Sequence, residues 1–241
     1  GGWNHIALTR SGTAIKIYIN GVGTSVGNIS GSLLAGTSNW IGRTNFTSAP
    51  QPFKGYMSNV RIIVGSALYT ADFALPTADL TAVSGTALLT CQGGSISDSS
   101  SNNYTITNVN SARVSSANPF TTSGGWSAYF DGTGDYLTVA RNAAFFPAAN
   151  TDFTIEAWVF LTATPGATNA QIIGFPENKK PTKIGPEMQK KTGPGPFFAS
   201  GRPFSASKSH FWEVRTRFWS DFGRFLDFPE TPFFCARVIN R

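Results

Sequence analysis

The sequence predicts an all-β protein, a two-sheet antiparallel β-sandwich of jelly-roll type. Three observations carry that expectation. Short segments alternate apolar and polar residues at a period of two, the spacing of a half-buried strand. Clusters of Gly, Ser, Asn and Asp separate these segments, with almost no helical periodicity between them. Charged residues make up 13% of the 241 positions, about half of the roughly 25% usual in a globular domain, so Ser and Thr decorate the outer strand faces.

The elements follow in order. Trp3–Leu8 alternates and forms a first strand. Ala14–Ile19 places Ile15, Ile17 and Ile19 on one face and runs into Asn20-Gly21, the dipeptide best suited to the positive φ angles of a type I′ hairpin turn. Its partner is Val22–Val26. Trp40-Ile41 is a short strand and Phe53–Ile63 a long one, with a helical turn expected at Ser66–Tyr69 and a stop at Pro76. A second series comprises Ala87–Cys91, Tyr104–Val109, Ala128–Phe130, Tyr136–Val139, Phe153–Leu161 and Gln171–Phe175. Ile15, Ile17, Ile19, Val60, Ile62, Phe130, Leu137, Ile155 and Ala157 are expected to face the interior.

Composition changes near Phe175. Residues 1–175 hold seven basic and seven acidic side chains; residues 176–241 hold twelve basic and six acidic ones. The whole net charge of +6 therefore sits in the last segment, which also carries ten of the 20 Phe and eight of the 14 Pro. Proline at that density does not support a central strand, and residues 176–241 read as a disordered or frameshifted basic tail. No segment reaches the ~20 apolar residues that span a bilayer. The opening at Gly1 without a leader reads as that of a fragment. Cys91 and Cys235 are too few and too far apart for a disulfide framework or a metal cluster.

Several runs resemble a known family. They are Trp3-Asn4-His5-Ile6-Ala7-Leu8-Thr9-Arg10, Ile17-Tyr18-Ile19-Asn20-Gly21, Asn39-Trp40-Ile41-Gly42 and Phe53-Lys54-Gly55-Tyr56-Met57-Ser58-Asn59-Val60-Arg61-Ile62. In that order they resemble the second half of a laminin G-like domain of the concanavalin A-like lectin superfamily. Ala67–Phe73 with Pro76 resembles the exit from a repeat in tandem-repeat phage virion proteins. Asp98–Asn103, Ala128–Leu137 and Phe153–Val159 resemble the first half of a following repeat. The resemblance implies that 1–78 and 87–175 pair as one circularly permuted sandwich, with 79–86 as linker. It also implies a carbohydrate- or receptor-binding role on a phage tail or virion, or on a secreted adhesion protein, with adjacent repeats of the parent protein as neighbours.

Candidate chemistry is sparse. Gly23-Thr24-Ser25-Val26-Gly27 matches a nucleophile elbow, but that motif needs a strand-to-helix turn, and here it follows a hairpin. A lectin-fold glycosidase needs two carboxyl groups flanking the bond; Glu156 is phased with Thr154 and Trp158, not with a second acid. Asp131 and Asp135 flank Gly132-Thr133-Gly134 and read as turn chemistry or as two ligands of a calcium site, which takes 6–8 oxygens. His5 has no His neighbours and reads as a hydrogen-bonded structural residue. The basic, aromatic tail lacks a nucleic-acid-binding motif. Asn28, Asn45 and Asn103 open glycosylation sequons that matter only in a secretory pathway.

The expected function is thus non-enzymatic binding of a glycan or host-surface receptor, on the virion or outside the cell. A structural spacer and a glycosidase are the alternatives. The expected site lies on rim loops, where Asn45, Phe46 and Gln51 offer an aromatic beside small polar groups, and Tyr136 stands next to Asp131 and Asp135. No cofactor is expected beyond that calcium.

Overall fold

A computed structural model describes residues 2–31, 38–43, 52–120, 124–140, 142–145, 147–162 and 172–174. The tail 176–241, Asn45, Phe46, Gln51 and Cys235 lie outside the described residues.

The strands are β1 (Asn4–Ser11), β2 (Ala14–Ile19), β3 (Val22–Asn28), β4 (Ser38–Ile41), β5 (Lys54–Val64), β6 (Thr86–Thr90), β7 (Ile106–Val109), β8 (Arg113–Ser115), β9 (Ser127–Asp131), β10 (Tyr136–Ala140), β11 (Phe153–Leu161) and β12 (Ile173–Gly174). A 3-10 turn spans Ala143–Phe145. An eight-stranded sheet has the order β3-β2-β1-β11-β5-β9-β8, with β6 also on β5; a four-stranded sheet has the order β12-β4-β10-β7. Every paired strand is antiparallel. The fold is the all-β two-sheet sandwich that the alternation implies.

Strands from 1–78 and 87–175 interleave. β11 lies between β1 and β5, while β10 and β12 flank β4. The β2–β3 hairpin turns through Asn20 at φ 51° and Gly21 at φ 81°, the geometry the Asn-Gly pair favours. At the sheet interface, a Cβ on Gly42 would meet the Phe130 ring at 2.7 Å, and Gly42 has φ +87°. Only glycine satisfies both constraints.

The core lies between the sheets. Ile6, Ile17, Ile62, Phe130 and Ile155 of the larger sheet are buried, as are Ile41, Leu137, Val139 and Ile173 of the smaller one. Ile15, Val60 and Ala157 are buried as expected. Ile19 is not: it is 44% exposed, because it closes β2 beside the turn. Arg10 is fully buried and donates to the carbonyls of Gly31, Ala148 and Thr151, tying two loops to the inner end of β1.

The expected helical turn at Ser66–Tyr69 does not form. The segment from Ser66 runs as an irregular arm across the outer face of the larger sheet. Tyr18 Oη and Thr9 Oγ1 both donate to the Tyr69 carbonyl, the Leu68 N–H donates to Thr154 Oγ1, and Thr154 Oγ1 donates to the Ser66 carbonyl. These side-chain bonds satisfy backbone groups that a helix would otherwise pair. With the arm above and the second sheet below, β11 is buried on both faces from Phe153 to Val159.

Candidate functional site

Aromatic and polar side chains meet at one rim of the sandwich and beneath the arm.

At the rim, β10 and β4 pair with Leu137 opposite Ile41 and Thr138 opposite Trp40. Leu137 and Ile41 point into the core, so alternation turns Tyr136 and Trp40 to the outer face of the smaller sheet. Their rings lie 6.4 Å apart at 78°. The Arg43 guanidinium sits 4.7 Å from the Tyr136 ring and 5.7 Å from the Trp40 ring, within cation–π range of both. Arg43 and Pro52, which bracket residues 44–51 in the sequence, form a β-bridge, and Arg43 stands beside Tyr136. Lys54 pairs with Asp131 across β5 and β9. The Arg43–Pro52 bridge and the turn 131–136 are therefore brought together, which strand assignments alone did not reveal.

The two aspartates brace that turn. Asp131 Oδ1 accepts the Thr133 N–H at 2.6 Å. Asp135, buried, accepts the Ser111 N–H at 2.8 Å and the Asp131 N–H at 2.9 Å. Asp98 plays the same part after β6, accepting N–H groups of Leu89, Ser100 and Tyr104. Among the described residues no three His, Cys, Asp or Glu side chains gather as metal ligands.

Beneath the arm lies a network centred on Glu156. β1, β11 and β5 place Ala7, Glu156 and Arg61 in one row. A bulge in β5 makes this row: Trp158 pairs with Ser58 while Glu156 pairs with Arg61, and Asn59 takes φ 55°. The extra residue turns both Ser58 and Arg61 outward. Glu156 Oε1 accepts Arg61 Nε at 2.8 Å and Nη2 at 2.6 Å; Oε2 accepts Tyr69 Oη at 2.8 Å and His5 Nε2 at 3.1 Å. His5 and Glu156 are both fully buried. Burial alone pushes the Glu156 carboxyl upward, but the His5 hydrogen bond and the Arg61 charge outweigh it and hold the group below its ordinary value. Burial and the nearby Glu156 charge push the Tyr69 phenol up. Arg61 also donates to the Thr81 carbonyl at 2.7 Å, so the network clamps both ends of the arm. His5 is the hydrogen-bonded structural residue its isolation suggests. Cys91 is a free, buried thiol that burial pushes up to about 12.

Comparison with curated proteins and with solved structures found no match. Among the described residues no helix is long and apolar enough to cross a membrane. A family model described as the concanavalin A-like lectin/glucanases superfamily matches residues 1–69, the segment that supplies β1 to β5 and the first turn of the arm. Over those residues, less than half of the chain, the sequence is similar to laminin G-like segments of the concanavalin A-like lectin/glucanases superfamily.

Proposed function

We propose that the chain is a non-enzymatic module that binds a glycan or a glycosylated surface receptor at the rim. The observation that carries this is the convergence of Trp40, Tyr136 and Arg43 beside the Arg43–Pro52 bridge. Sugars present apolar C–H faces and rings of hydroxyls. Half-buried aromatic rings stack on the former, and a guanidinium with several N–H donors serves the latter. Asn45, Phe46 and Gln51, which lie between Arg43 and Pro52 in the sequence, are proposed as further contacts, with Asp131 and Asp135 as supports of the turn or ligands of calcium. The resemblance of the second strand series to a following repeat favours a place in a larger repeat protein of a phage tail, a virion or a secreted adhesion protein.

The chemistry of Glu156 favours binding over hydrolysis. A general acid must reach the glycosidic oxygen and pair with a second carboxyl group. Both oxygens of Glu156 are spent on Arg61, His5 and Tyr69 under the arm. The test is titration of the full chain with neutral and sulfated polysaccharides, with and without calcium. Binding of a neutral polymer that weakens about tenfold or more in Trp40→Ala supports the reading, since burying one large side chain is worth roughly 1.5–3 kcal/mol. Release of reducing sugar, or binding indifferent to Trp40→Ala and Tyr136→Ala, would overturn it.

A further inference from the structure

We propose that the outer face of the eight-stranded sheet carries a second glycan site, a cross-strand aromatic ladder ending in an arginine, which takes an extended uronate-containing polysaccharide.

The ladder follows from register. Phe160 of β11 pairs with Tyr56 of β5, Tyr56 with Tyr129 of β9, and Tyr129 with Arg113 of β8. Trp3, just before β1, extends the row past Phe160. The rings contact one another in sequence: Trp3 to Phe160 at 5.8 Å, Phe160 to Tyr56 at 6.0 Å and Tyr56 to Tyr129 at 4.9 Å. The Arg113 guanidinium lies 4.3 Å from the Tyr129 ring. Five adjoining positions cross four strand spacings, about 19 Å, enough for several sugar rings laid across the strands.

The same row stands apart from its neighbours. Two residues further along β1, β11, β5 and β9 are His5, Trp158, Ser58 and Ser127, all buried, while Ser115 of β8 is half-buried. The chain covers that row: Phe120 packs on Trp158 at 5.8 Å, and Ser58 Oγ donates to the Trp126 carbonyl. The rows beyond hold Glu156, Thr154 and Thr9, also buried, under the arm. The ladder residues Trp3, Tyr56, Tyr129 and Phe160 remain half-buried and Arg113 is exposed. Lys54 and Asp131, paired one row to the other side, are also uncovered, so the open part of this face is the aromatic row with a polar row at its edge.

Charge selects the occupant. No side chain among the described residues accepts from the Arg113 guanidinium, and the described ion pairs all belong to Glu156. Placed over the Tyr129 ring, the guanidinium keeps N–H donors for a planar carboxylate, which arginine meets bidentately. Aromatic faces for pyranose C–H groups and one carboxylate-matching cation at the end describe a polymer of sugar acids.

The experiment titrates the full chain at physiological salt with polygalacturonate and with the same polymer after its carboxyl groups are reduced. The expected result is tighter binding of the acid form by about tenfold, the worth of one charge-assisted hydrogen bond. Arg113→Gln, an exposed change, erases that difference and leaves the reduced polymer bound as before. Tyr56→Ser, with its fold checked by thermal melting, weakens both. Equal binding of the acid polymer by wild type and Arg113→Gln, or no binding at all, would overturn the proposal. So would self-association that Tyr56→Ser abolishes, which would make a second copy the occupant. Trp40→Ala is expected to leave polygalacturonate binding unchanged. If it abolishes that binding, the acid polymer sits at the rim, and the ladder proposal fails while the rim reading stands.

Discussion

Replacing Glu156 with alanine removes the acceptor of four hydrogen bonds at once. Arg61 loses both contacts to Oε1, at 2.8 and 2.6 Å, and is left almost wholly buried with the Thr81 carbonyl as its remaining partner. Tyr69 and His5 lose the Oε2 acceptor. Breaking one side of a buried ion pair costs about 3–5 kcal/mol, because the other charge stays buried without compensation. Urea unfolding of Glu156→Ala is therefore expected to lose about that much, read as a lower midpoint at unchanged slope. The double variant Glu156→Leu with Arg61→Met removes both charges and should recover most of the loss; the orphaned Tyr69 and His5 donors keep about 1 kcal/mol each. The pH dependence has a definite sign. The folded Glu156 carboxyl is held below its ordinary value of 4.5, so the unfolded chain takes up this proton first as pH falls. The stability difference between wild type and Glu156→Ala is thus full above about pH 4.5 and shrinks as pH falls through the folded value. A loss under about 1 kcal/mol at neutral pH, or a double variant no better than Glu156→Ala, would refute the reasoning.

Three further outcomes follow. Tyr69→Phe deletes the 2.8 Å bond to Glu156, at a cost of about 1.5–3 kcal/mol for a bond to a charged acceptor, and chymotrypsin should then cut the arm at Leu68 or Phe73 faster than in wild type. Gly42→Ala drives a Cβ to 2.7 Å from the Phe130 ring at φ +87° and should lower stability by about 1–3 kcal/mol, measured by thermal melting. In a Cys235→Ser background, the buried Cys91 thiol, pushed up to about 12, should resist alkylation at pH 8 and react only as fast as the sandwich opens.

What could be read from the residues was local. Asn20-Gly21 fixed its hairpin, and Phe153–Leu161 declared a strand. β8 escaped notice because Arg113–Ser115 is three residues long, too short for alternation to register. The helical turn expected at Ser66–Tyr69 failed because Tyr18, Thr9 and Thr154, on strands distant in sequence, supply the partners of its backbone groups. The Glu156 network and the aromatic ladder were not legible at all. Arg61 and Glu156 lie 95 residues apart, and a bulge at Asn59 decides that they face each other. Tyr56, Tyr129 and Phe160 become a row only when β5, β9 and β11 settle into register. Tyr136 and Trp40 were named singly and Arg43 not at all; the β4–β10 pairing is what joins them.

The position of β11 has a consequence for how the chain is made. β1 and β5 are complete early in synthesis, yet the strand that joins them is Phe153–Leu161. Until it emerges, the β1–β2–β3 hairpins and β5 expose unpaired edges with apolar inner faces, the arrangement that invites pairing with other chains. The loop that must close spans most of the sandwich, and such distant pairings slow folding. Nascent chains stalled before Phe153 should therefore be protease-sensitive and prone to aggregate, while chains extended past Leu161 should become protected in one cooperative step.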